Sequence, residues 1–465
     1  MKYLLLFTFF QTISFSQNTN DVFTYLDVFD LQYVSSPQIS PDGSEIIYRR
    51  MTFDILKDKA VGNLWTVNVN GSNHQKLTSR ESEEYGATWS PDGDRLAFIS
   101  STEEGSEIYI YWKNSSKYAK ISQLEGNPSN LSWSSNGTNL AFTMKVKTLA
   151  PVLVKMPKKP KGAKWAKTAR ITDRLYHESD GKGYIEPGFT HVFLISSEGS
   201  GVSKLTSGNF NHRGPLSWSK DNSKIYFTSN RSESWEYEFR NSEIYSVDII
   251  DQKIRSLTDR NGPDSNPKVS PNGKHIAYLG YQDKVQAYQN TQLSIMDTNG
   301  DNTSLISFNV DSSINDYHWD SNSKGIYYSY DKLGDTKIAY LNLDGSFRDL
   351  AENLGGNSIG RPYGGGSFSV SNNGVIAYTN TSYKHPSELT VVNGKKSTQI
   401  TNLNSHLLEN RNLGFVEEIW YKSSFDNRDI HGWVVYPPNY DSSKSYPFLV
   451  ENHGGPISNY GSRFS

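Results

Sequence analysis

The 465 residues carry 47 Lys+Arg against 49 Asp+Glu, a near balance that excludes the basic excess with which nucleic-acid-binding proteins hold phosphate. There is no cysteine, which rules out disulfides, thiolate nucleophiles and cysteine-ligated zinc. Hydrophobic residues make up only 35%, yet 29 Tyr, 10 Trp and 36 Gly favour an all-β chain over a helical one.

The first element in chain order is an export signal. Lys2 supplies the positive end, Tyr3 to Phe10 form a short apolar run, and Ser14-Phe15-Ser16 gives a small-x-small cleavage pattern. This predicts a signal peptide over 1–16 and an exported product, periplasmic or secreted. No other stretch reaches the ~18 apolar residues that a membrane-crossing helix takes, so no membrane anchor is expected.

A repeat follows. An apolar or aromatic residue, then Ser and a Pro/Asp/Asn/Gly turn, leads into a short strand. It reads Ile39-Ser40-Pro41-Asp42-Gly43, Trp89-Ser90-Pro91-Asp92-Gly93, Trp133-Ser134-Ser135-Asn136-Gly137 and Trp218-Ser219-Lys220-Asp221-Asn222. It returns as Val269-Ser270-Pro271-Asn272-Gly273, Trp319-Asp320-Ser321-Asn322 and Val370-Ser371-Asn372-Asn373-Gly374. Proline presets φ, and Asp or Asn before Gly tolerates the left-handed backbone that reverses a chain, so each copy is a β-hairpin. A second hairpin follows each first one, as in Leu64-Trp65-Thr66-Val67 running on to Leu77-Thr78. Four strands per period of ~40–50 residues are a propeller blade, and seven copies predict an all-β seven-bladed propeller over 17–410.

The second position of the motif falls at 40, 90, 134, 219, 270, 320 and 371. The long interval from 134 to 219 predicts an insertion at about 145–190. Within it, residues 155–174 hold eight basic side chains and one acid, Asp173. Its Pro and Gly content argues against regular structure, and the charge reads as a solvated loop.

After Thr401 the repeat stops. Residues 417–438 read as a fresh hairpin, and Tyr446-Pro447-Phe448-Leu449-Val450-Glu451 as an apolar strand running into Asn452-His453-Gly454-Gly455-Pro456. Acyl-transfer enzymes stabilise an oxyanion with fixed N–H donors, and in α/β-hydrolases one donor comes from a His-Gly-Gly-type loop after the third strand. Glycine suits that loop because no Cβ stands between the amide and the substrate.

With the Ser-Pro-Asp-Gly repeats, Gly162-Ala163-Lys164-Trp165, Thr172-Asp173-Arg174, Ile430-His431-Gly432-Trp433 and His453-Gly454-Gly455-Pro456, the chain resembles the prolyl oligopeptidase family of serine peptidases, nearest its acylaminoacyl-peptidase branch. The resemblance implies a propeller joined to an α/β-hydrolase domain, here its first part over 411–465. It also implies peptide substrates and no cofactor. Carried over, the oxyanion donor is Gly455, with Gly454 and His453 shaping the loop. In that family the catalytic Ser, Asp and His follow this loop. No Gly-x-Ser-x-Gly turn occurs in the sequence, and the chain ends nine residues beyond Pro456. The expectation is therefore a piece of a longer enzyme, inactive by itself. An apolar strand with nothing to cover it points the same way.

Exopeptidases related to this family anchor a substrate amine with propeller carboxylates. Glu83 and Glu84 are the substrate-binding candidates on that ground, and Glu103-Glu104 is a second acidic pair. The histidines lack metal-ligand spacing, so no metal site is expected. The rival reading is a non-catalytic periplasmic binding propeller resembling TolB, which would have no use for residues 417–456.

Overall fold

The hydroxyl of Ser40 shows why serine recurs in the repeat. Fully buried, it donates to Asp42 Oδ1 at 2.5 Å and accepts the Glu45 N–H at 3.0 Å, so one group ties the turn to the strand that leaves it. Gly43, at φ +74°, closes the turn by donating its N–H to the Ser40 carbonyl at 2.9 Å. The same bonds are made by Ser134 with Asn136 and Asn139, by Ser219 with Asp221 and Lys224, and by Ser270 with Asn272 and His275.

The computed structural model describes residues 21–149, 154–166, 169–199, 201–356, 358–455 and 457–465. The signal peptide expected over 1–16, and Pro456, lie outside the described residues. Each repeat folds into one four-stranded antiparallel sheet with strands in chain order, and seven such sheets form the predicted propeller. The blades span residues 33–76, 83–120, 128–204, 212–256, 264–305, 314–351 and 368–399. The insertion sits in blade 3, between strands Asn139–Lys147 and Gly188–Ser196. Its only ladder among the described residues is a two-residue hairpin, Glu178–Ser179 with Gly183–Tyr184.

Neighbouring blades share their cores. Phe142, Trp133 and Ile195 of blade 3 pack with Ala97, Ile108 and Ile110 of blade 2. The motif tryptophans add a polar weld. Trp89, Trp133, Trp218 and Trp319 each donate the indole N–H to an inner-strand carbonyl of the preceding blade, Gln38, Thr88, Ser132 and Lys268, at 2.8–3.1 Å. Where the motif begins with Ile39 or Val269, the weld runs instead from that residue's backbone N–H to a serine hydroxyl next door, Ser369 or Ser217, at 2.9 Å in both cases. Trp218→Phe keeps one aromatic ring but loses the rest of the indole and the N–H that the Ser132 carbonyl accepts. We expect it to lower unfolding free energy by about 1–3 kcal/mol, read as a lower urea midpoint at unchanged m-value.

The ring shuts without exchanging a strand. Blade 1 and blade 7 each keep their own four strands, and Val34, Tyr48 and Val67 pack directly on Ala377, Leu389 and Val391. Asn404 bridges the seam through both amide atoms, accepting the Gln32 N–H at 2.8 Å and donating to the Gln32 carbonyl at 2.7 Å. Arg411 adds a two-pronged pair with Asp27 at 3.0 Å.

All seven Ser-Asp/Asn turns lie at one end of the propeller. The opposite face carries the turns between second and third strands, and with them the insertion and Gly334 of blade 6. Past blade 7 comes a short helix, Ser405–Leu408, which the repeat did not announce. The expected hairpin then forms as Val416–Lys422 paired with Asp429–Val435. The expected strand at Tyr446–Glu451 does not form. Among the described residues no strand lies alongside to complete a ladder, and Phe448, Leu449 and Val450 stay 70–92% exposed.

Candidate oxyanion loop and its propeller socket

Residues 451–455 and 457–464 lie against blades 6 and 7 on the face opposite the Ser-Asp/Asn turns. Their socket is the glycine-rich stretch 355–366, whose small residues let two backbones touch. Tyr460 forms a bridge with Tyr363, their rings 5.0 Å apart, and Gly461 donates its N–H to the Pro362 carbonyl at 3.0 Å. A Cβ on Gly461 would collide with the Gly334 carbonyl, so glycine is required there by contact alone. Arg463 is buried and donates to the Gly334 carbonyl at 2.8 Å and to Thr336 Oγ1 at 2.7 Å. Thr336 in turn donates its hydroxyl to Asp331 Oδ1 at 2.5 Å. Burial pulls the Arg463 guanidinium down, and Asp331 and Asp335 oppose that shift. Phe464 completes the dock in an apolar cluster with Leu31 and Leu407. A cavity of about 300 Å³ remains beside it, walled by Arg361, Tyr363, Arg463 and Phe464.

The candidate loop is held at one end of this dock. Arg361 pairs with Glu451, which also accepts the Tyr460 hydroxyl at 3.0 Å. The two glycine amides then differ. Gly454 donates its N–H to the Tyr363 hydroxyl at 2.9 Å. The Gly455 N–H has no hydrogen-bond partner among the described residues, and the residue is exposed. Gly455 adopts φ +135°, and a Cβ there would lie 2.5 Å from the Ile457 nitrogen. His453 turns its Nδ1 to the Gly454 carbonyl at 3.0 Å, and its ring stands 5.9 Å from that of Tyr460.

The structure brings His453, Gly454 and Gly455 together and leaves Glu83 and Glu84 elsewhere, at the start of the inner strand of blade 2. Glu84 is fully buried. It accepts the Thr78 hydroxyl on one oxygen and the Leu64 N–H on the other at 3.2 Å, and burial raises its pKa. Glu243 with Thr258 and Glu388 with Thr401 repeat that glutamate–hydroxyl pairing, each carboxyl pushed up to about 7 by burial. The recurrence marks Glu84 as a strand-to-strand tie inside the propeller. Glu83 is half-buried and shared by Arg49 and Lys59, each at 2.9 Å. Glu103 and Glu104 lie exposed in a turn of blade 2. No group of three or more His, Asp or Glu able to hold a metal occurs among the described residues, and no helix there is long and apolar enough to cross a membrane.

Sequence reading missed Tyr363, Arg361 and Arg463. Their one visible signal was the glycine density of 355–366, which asks for close backbone approach without naming the partner.

Known proteins match this chain in fold and in sequence. Dipeptidyl-peptidase 5 of Porphyromonas gingivalis is 27% identical over 96% of the chain and 65% of its own length. An uncharacterised peptidase of Bacillus subtilis is 24% identical over 94% of the chain and 66% of its own length. The chain thus spans just under two thirds of these relatives. The acylaminoacyl peptidase of Pyrococcus horikoshii superposes with a TM-score of 0.73 at 15% identity, covering 94% of this chain and 63% of that one, which establishes a shared fold. The TolB β-propeller domain family matches residues 26–165 and 185–362. That match covers well over half the chain and takes in the first six blades apart from part of the insertion, so the chain belongs to the TolB β-propeller domain family.

Proposed function

We propose that these residues are the propeller and oxyanion loop of an exported serine-type peptidase that cleaves short peptides through an acyl-enzyme. The observation that carries this reading is the uncommitted Gly455 amide, fixed at the propeller face by the Gly454–Tyr363 bond beside it. A carbonyl oxygen turning tetrahedral needs a donor already in place, and an amide with no other partner meets that need without reorganisation. The attacking serine and its base would come from residues following Ser465, as they follow the equivalent loop in prolyl oligopeptidases. The propeller would then stand over the site and admit only short or unfolded chains. The similarity to named peptidases over nearly the whole chain supports this reading above a purely binding propeller.

The test is expression of the complete natural gene product and its exposure to a fluorophosphonate and to dipeptidyl coumarylamides. The expected result is one labelled serine downstream of Ser465 and release of the coumarin. A folded product that takes no label, or a label on a serine within these 465 residues, would overturn the assignment.

A further inference from the structure

A second cleft lies away from the oxyanion loop but on the same face, where the blade 3 insertion leans over blade 4. It encloses about 430 Å³, within the range of pockets that hold small ligands. Leu175 of the insertion donates its N–H to Glu236 of blade 4 at 3.2 Å, which fixes the roof to the opposite wall. Blades 3 and 4 stand opposite blade 7 in a ring of seven, which places the cleft and the His453–Gly455 loop on opposite sides of the same face.

The lining has an unusual charge arrangement. Besides two tyrosines, its titratable members are Lys145, Asp173, Arg174, His177, Glu186 and Arg213. Three cations arrive from three elements: Lys145 from the second strand of blade 3, Arg174 from the insertion and Arg213 from the inner strand of blade 4. None of them makes a salt bridge among the described residues. Lys145 donates to a backbone carbonyl, that of Glu186. Arg174 lies over the Phe189 ring, 4.4 Å from its centroid. The Arg213 guanidinium is exposed and has no hydrogen-bond or ion-pair partner among the described residues. Of the two acids, Glu186 is already paired at 2.9 Å with Lys147, outside the cleft. Burial depresses the Lys145 ammonium; the Glu186 carboxylate opposes that shift, and the positive charges of Arg174 and Lys147 add to it. Trp235 and Tyr184 supply aromatic surface beside these charges.

Resting on the peptidase reading, we infer that this cleft binds the C-terminal carboxylate of a short peptide, with Arg213 and Arg174 taking the oxygens and the aromatic wall taking the last side chain. A planar guanidinium without a partner matches a carboxylate in shape as well as charge. A substrate held there by its C-terminus would extend across the channel toward Gly455, and peptide length would decide which bond reaches the loop.

The probes are Ala-Ala-Phe with a free carboxylate, Ala-Ala-Phe-amide, and Ala-Glu-Ala-amide, whose only carboxylate is on a side chain. Binding is read by calorimetry and by Trp235 fluorescence at low salt. The free-acid peptide should bind about tenfold or more tightly than its amide, as loss of a charge-assisted pair predicts. Arg213→Gln, an exposed substitution outside any packing, should collapse that ratio to about threefold or less, and Lys145→Met should lower it independently. Equal binding of acid and amide, no binding of either, or a ratio indifferent to Arg213→Gln would overturn the proposal. Preference for Ala-Glu-Ala-amide would overturn the C-terminal assignment too. None of these measurements involves bond cleavage. Coumarin release without an acid preference would therefore sink the cleft alone, and an acid preference without labelling would sink the peptidase reading alone.

Discussion

Gly455→Ala in the complete enzyme should lower kcat by ~10²–10³-fold, the usual cost of one oxyanion donor. Substrate KM should change far less, because the lost bond strengthens only as the carbonyl becomes an oxyanion. The physical cause is local. At φ +135° an L side chain is strained, and its Cβ would press on the Ile457 nitrogen at 2.5 Å and the Ser458 nitrogen at 3.1 Å. Relief requires the loop to rotate, which swings the N–H off its target. The propeller core lies far from this exposed loop, so melting temperature and far-ultraviolet dichroism should match wild type. A kcat within twofold of wild type would remove Gly455 from the chemistry.

The second large effect is on stability in acid. His212 is fully buried between blades 3 and 4, and its Nε2 faces Arg231 Nη1 at 2.6 Å. A guanidinium only donates, so Nε2 must be the bare acceptor, and Nδ1 carries the proton to the Thr190 carbonyl at 3.0 Å. His191 lies 5.2 Å away, ring to ring. Burial, reinforced by nearby cations, pulls both imidazoles down to about 4. Unfolded histidine titrates near 6.5, so below that pH the unfolded chain takes up protons that the folded chain refuses. The stabilisation is complete above pH 6.5 and is lost as pH falls toward 4, at about 3 kcal/mol for His212. Glu243 and Glu388 oppose this trend. Raised to about 7, they favour the folded state below pH 4.5 and lose that contribution as pH climbs through 7. Wild type alone would therefore show a blurred profile, and the informative quantity is a difference. His212→Asn should be less stable than wild type at pH 7, and the gap should shrink by about 2 kcal/mol on going to pH 4.5. A gap independent of pH would mean that His212 is not held neutral.

The propeller was legible because its turns impose chemistry on particular residues. Ser40 must both donate and accept, Gly43 must take positive φ, and Trp89 must reach a neighbour's carbonyl, so the blade writes itself into composition every fifty residues or so. The long interval between Ser134 and Ser219 likewise located the insertion. Tyr446–Glu451 failed for the opposite reason. Apolar, β-prone residues state a preference, but a strand exists only beside another strand. Adjacent glutamates carried too little information, since alternation sends Glu84 inward and Glu83 to the rim. The socket at Tyr363 and Arg463 joins residues some 90 or more positions apart, and no local pattern encodes such a meeting. The basic run of the insertion read as a solvated loop. One of its members, Arg174, in fact sits half-buried over Phe189, because a long aliphatic stem lets a cation line an aromatic wall.

The closure between the first and last blades has a mechanical meaning. Every other junction is spanned by the polypeptide itself, whereas this one is held by non-covalent contacts alone, such as Val34 against Ala377, the Asn372 N–H on the Pro41 carbonyl, the Asn404 clasp and the Arg411–Asp27 pair. Tension applied at the two ends of the ring would part that junction before tearing any ladder. By the same token, new termini could be cut between any two blades and the old ones spliced, giving a permuted ring with its weak joint moved to a chosen place.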